Sequence, residues 1–135
     1  MKHSFAIALP LIAASIAVMI ALPAQFGAHP QWTATVLLIG APAGIFLGYF
    51  FFAMRLPKVL RVIFSLAIAG AAYYLARDGQ KAFIASFSED KIAGQLWFFG
   101  WTIVCAGCGS VLASLALSPT NNLDSEAEKE TLDEV

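Results

Sequence analysis

Residues 32–54 read WTATVLLIGAPAGIFLGYFFFAM, a run without one charged side chain. A helix carrying it is apolar all round, which needs lipid or a large protein core. A chain of 135 residues supplies no such core. About 20 apolar residues cross the roughly 30 Å of bilayer hydrocarbon, and an open sheet edge cannot be satisfied there. The stretch therefore predicts a transmembrane helix.

The same reading extends in both directions. No Asp, Glu, Lys or Arg lies between Lys2 and Arg55, so residues 4–22 predict an earlier span. Residues 59–76 predict another, with Arg61 in its first turn, close enough to the end to snorkel to the headgroups. No charge lies between Lys91 and Asp124, and residues 95–118 predict the last span. Only 13% of the chain is charged and 59% is hydrophobic, whereas soluble domains carry about 25% charged residues. The expected fold is all-α and integral to a membrane: four transmembrane helices within residues 1–118, then a short disordered acidic tail, 119–135. The first span has a second reading as a cleaved signal peptide, with Lys2 as n-region and Leu22-Pro23-Ala24 as cleavage site.

The connections differ in character. Residues 23–31, PAQFGAHPQ, form a short turn without Lys or Arg. Arg55-Leu56-Pro57-Lys58 predicts a tight hairpin of spans two and three, since Pro57 disfavours helix before it and starts one well. Residues 77–94 are mixed. Phe83, Ile84 and Phe87 share a helical face there, as an interfacial helix would have, and an ordinary polar loop fits equally. Ser88, followed by Glu89 and Asp90, reads as the N-cap of the helix leading into span four.

Charge sets the expected orientation. Residues 1–118 carry a net +4 and residues 119–135 a net −5. With both termini cytoplasmic, Lys2, Arg55, Lys58, Arg61 and Lys129 lie inside, against Arg77, Lys81 and Lys91 outside. Trp32, Tyr73, Tyr74, Trp97 and Trp101 fall at the outer end, where amphipathic rings favour the interface. A bacterial cytoplasmic membrane is the expected location.

Few residues carry chemistry. Gly40, Gly44 and Gly48, four apart, lie on one stripe that lets another backbone approach, in the same chain or in a partner. Ala13, Ala17 and Ala21 form a weaker stripe. Cys105 and Cys108 form C-x-x-C, but mid-span and far from any charge or helix start, where small apolar packing residues are the better reading than redox thiols. No closed zinc site is expected from two cysteines and the distant His3 and His29. With no histidine inside a span, a bis-histidine haem is unsupported, and no cofactor is expected. The basic groups are few and flank apolar runs, which argues against nucleic acid. No span holds an ionisable group beyond Arg61, as proton-coupled transport would need.

The expected function is therefore non-enzymatic: an accessory, anchor or assembly component of a membrane complex, with the bilayer and a membrane-protein partner or a second copy as its contacts. A small oligomeric, holin-like pore or transporter is the alternative. A membrane thiol oxidoreductase through Cys105 and Cys108 comes third.

Overall fold

The computed structural model describes residues 2–117 and 130–134. Its helices are α1 (Lys2–Met19), a single turn α2 (Leu22–Gln25), α3 (Thr33–Ala53), α4 (Lys58–Ala85) and α5 (Lys91–Ala116). A 3-10 turn, Pro30–Trp32, leads directly into α3. Three segments are long and apolar enough to cross a membrane: Pro30–Ala53, Lys58–Ala85 and Lys91–Ala116. The first helix is apolar but shorter. It ends at Met19 because Ala21 adopts a left-handed conformation (φ 49°) that turns the chain into α2. Its 18 residues rise about 27 Å at 1.5 Å each.

The segment after the third expected span differs from both sequence readings. Helix α4 runs on through Arg77, Asp78 and Lys81 to Ala85, since charge limits depth in lipid but does not break a helix. Phe83 then folds back onto Trp97, their ring centroids 5.8 Å apart. The remaining link is residues 86–90. Phe87 and Ser88 are both left-handed there, and Phe87 is 92% exposed. The cap of α5 is Asp90, whose side chain accepts from the Ala93 N–H at 3.0 Å, rather than Ser88. Ser86 Oγ accepts from the Asp90 N–H at 3.0 Å and so fixes the turn.

Helix α5 lies between α3 and α4, parallel to the first and antiparallel to the second, while α1 packs more lightly across α3 and α5. The expected tight hairpin of α3 and α4 is therefore only a tight turn. The two helices touch sparingly, with Phe51 and Phe64 centroids 6.2 Å apart. The reason lies in side-chain size. Lipid tails are as apolar as leucine, so helices gain by close backbone packing rather than by burying large side chains. Small residues accordingly point inward. On α4 the buried positions other than Arg61 are all small: Ser65, Ala69, Ala72, Ala76 and Gly79. Large ones point outward, Leu38 being 77% and Phe46 74% exposed.

The disorder expected for the tail falls mainly on residues 118–129, outside the described residues. Of the rest, Glu130–Asp133 form one helical turn, with the Glu134 N–H donating to the Glu130 carbonyl at 3.2 Å.

Candidate functional site

The glycines of α3 face α5 of the same chain. A Cβ placed on Gly40 would lie 2.5 Å from Cys105 Cβ and 2.8 Å from the Thr102 carbonyl oxygen. On Gly44 it would overlap the Ala106 carbonyl oxygen and come within 2.9 Å of Gly109 Cα. On Gly48 it would meet Ala113 Cβ at 2.9 Å. The opposite side of α5 meets α4 as closely, through Gly100 on Ala76, Gly107 on Ala69 and Ser65, and Gly79 on Trp97 and Ala93. A side-chain to side-chain hydrogen bond crosses this second interface. Ser65 Oγ lies 2.7 Å from Ser110 Oγ and donates its own proton to the Arg61 carbonyl at 2.8 Å. A hydroxyl has one proton, so Ser110 is the donor to Ser65.

Sequence reasoning singled out the α3 stripe but not its α4–α5 counterpart. A signal for it exists. Ser65, Ala72 and Gly79 recur every seven residues, with Ala69 and Ala76 between them, and Ala93, Gly100, Gly107 and Ser114 recur likewise on α5. A sustained seven-residue repeat is the mark of two helices packed along their length. The alanines of the weaker stripe divide: Ala17 is buried and Ala13 half-buried on α1, while Ala21 is exposed in the turn after it.

Both cysteines are free. Cys105 is buried beside Gly40, and Cys108 is exposed. Both line a side groove of about 390 Å³ between α1, α3 and α5, together with Pro10, Ala13, Ala14, Phe26, Tyr73 and Trp101. No charged residue lines it, so nothing there stabilises a thiolate. Among the described residues, no three His, Cys, Asp or Glu side chains gather as a metal-binding set.

The two ends of the bundle contrast. At one end Trp97 is buried, and its indole N–H donates to the Gly27 carbonyl at 2.9 Å. His29 caps the 3-10 turn by accepting from the Gln31 N–H and packs between Trp32 and Trp97. Trp97 and Trp101 are thus buried in the core of the bundle rather than facing outward. Tyr73 and Tyr74 are the exposed rings. The sequence lacks a marker for this, since a tryptophan one turn from a span's end fits either place.

At the other end, Arg61 does not snorkel. It is 1% exposed. Its Nη2 donates to the Leu117 carbonyl at 2.7 Å, placing a cation at the C-terminus of α5, where the helix dipole favours one. Its Cζ lies 5.2 Å from the Phe52 ring centre. Among the described residues, Nε and Nη1 have no partner. Arg61 lies four residues before Ser65, on the same inward stripe of α4, and that register is the sign that it points into the bundle. A cavity of about 460 Å³ opens beside it at the α3–α4 turn, lined also by Phe52, Arg55, Leu56, Pro57 and Lys58.

The chain matches no protein-family profile, no curated protein and no solved structure.

Proposed function

We propose that this chain is a non-enzymatic accessory, anchoring or assembly component of a membrane complex. The proposed setting is a bacterial cytoplasmic membrane with both termini on the cytoplasmic side. Support comes from the side groove of α1, α3 and α5. Most glycines of the α3–α5–α4 unit pack against a neighbouring helix of the same unit, whereas the groove is lined by small residues of two helices that are not fully covered, Ala13 and Ala14 on α1 and Cys108 on α5. Small residues flanking an open apolar groove let a foreign backbone approach closely, so the occupant is a transmembrane helix of a partner. Two of the hydroxyls that a pore lining could use, Ser65 and Ser110, bond to each other in the core.

The test is site-specific photocrosslinking in native membranes from position 13, in the groove, and from position 38, on the exposed face of α3. A discrete protein adduct from position 13 and only lipid adducts from position 38 are the expected result. Lipid adducts from both positions, with ion or solute flux through liposomes carrying the purified chain, would overturn the proposal in favour of a pore.

A further inference from the structure

We propose that the cavity at the α3–α4 turn binds the phosphate group of an anionic membrane lipid, with Arg61 as its buried floor and Arg55 and Lys58 at its rim. Four observations converge on it. Arg61 is almost fully buried, yet among the described residues only one bond, to the Leu117 carbonyl, engages its five N–H donors. Nε and Nη1 have no partner among the described residues, and a buried charge persists where an opposite charge completes it. Among the described residues, every ionisable side chain lining the cavity is a cation. Helix α4, 28 residues long, begins at the cavity wall with Lys58 and has no side-chain cap, so its first N–H groups and dipole add to the attraction for an anion.

The depth selects a lipid over a dissolved phosphate. Arg61 lies one turn inside a helix long enough to span a bilayer, and the first turn of a spanning helix is where headgroups meet hydrocarbon. Val59, Leu60, Ile63 and Phe64 leave an exposed apolar face on the same turns of α4, along which acyl chains can lie. Basic pockets between spanning helices are known to take anionic headgroups.

The test uses the purified full-length chain in a neutral detergent, with lipid adducts counted by native mass spectrometry. Phosphatidylglycerol is titrated in one arm, phosphatidylcholine in a second, and inorganic phosphate competes in a third. Arg55→Gln/Lys58→Gln alters exposed positions and leaves the core intact. Arg77→Gln/Lys81→Gln removes equal charge from the far end of α4. Each cation near an anionic lipid contributes about fivefold in affinity, so the rim variant should bind phosphatidylglycerol about 25-fold more weakly. The far-end variant should bind like the parent, phosphatidylcholine should bind less than phosphatidylglycerol, and free phosphate should not displace the lipid. Equal losses in the two variants, equal binding of the two lipids, or displacement by free phosphate would each overturn the proposal.

Discussion

The two sides of α5 and the contact made by α1 are built from similar apolar sequences but packed by different rules. Along α3–α5–α4 the backbones touch. Gly40, Gly44, Gly79, Gly100 and Gly107 have no room for a methyl group without moving a neighbour. Helix α1 instead lies against the others with Ile7, Leu11, Ile12 and Ile16 exposed, and leaves a groove beside α5. Where lipid removes the hydrophobic drive between helices, association follows backbone approach. The three-helix unit is thus the closely packed part of the molecule, and α1 the loosely packed one.

Substitutions can break this contrast, beginning with the largest effect. Gly44→Leu drives a side chain into the backbone of Ala106, Gly109 and Ser110. Overpacking of this kind costs about 3 kcal/mol, and thermal unfolding in detergent, followed by circular dichroism, should show the bundle opening at lower temperature. An unchanged transition would remove the basis for a close α3–α5 contact. Ser110→Ala is next. It takes away the proton donor to Ser65 and should cost about 1 kcal/mol, while Thr102→Ala, whose hydroxyl bonds only to the Phe98 carbonyl of its own helix, should cost less. Equal losses would mean that the Ser65–Ser110 bond does not join the helices. The smallest effect belongs to Cys105→Ala with Cys108→Ala. Cysteine behaves here as a small apolar residue, and the pair should shift stability by less than about 1 kcal/mol with no change in photocrosslinked partner. Loss of the adduct without loss of fold would revive a thiol function.

The sequence disclosed the helices more readily than their neighbours. Long uncharged runs located α3 and α5, because lipid tolerates nothing else of that length. They overstated α1, since composition runs on to Leu22 while the backbone turns at Ala21. They understated α4, since the charges at Arg77, Asp78 and Lys81 mark where lipid ends rather than where the helix does. The spacing of Gly40, Gly44 and Gly48 revealed a face but not what lies on it. Periodicity fixes direction on one helix and is silent about which helix comes to meet it. Arg61 was misjudged for a related reason: distance from the helix end allows snorkelling, whereas its register with Ser65 and Ala69 turns it inward to the Leu117 carbonyl.

One pair of substitutions tests the central claim, that backbone contact through α5 holds the bundle together. Gly44 and Gly70 are both mid-helix glycines in apolar surroundings, but a Cβ on Gly44 overlaps α5, and one on Gly70 meets nothing within 4 Å. Alanine favours an exposed helix interior over glycine by roughly 0.5–1 kcal/mol. Thermal unfolding of Gly44→Ala and Gly70→Ala in the same detergent should therefore give shifts of opposite sign, downward for position 44 and level or upward for position 70. Equal shifts at the two positions would contradict the close packing of α3 on α5.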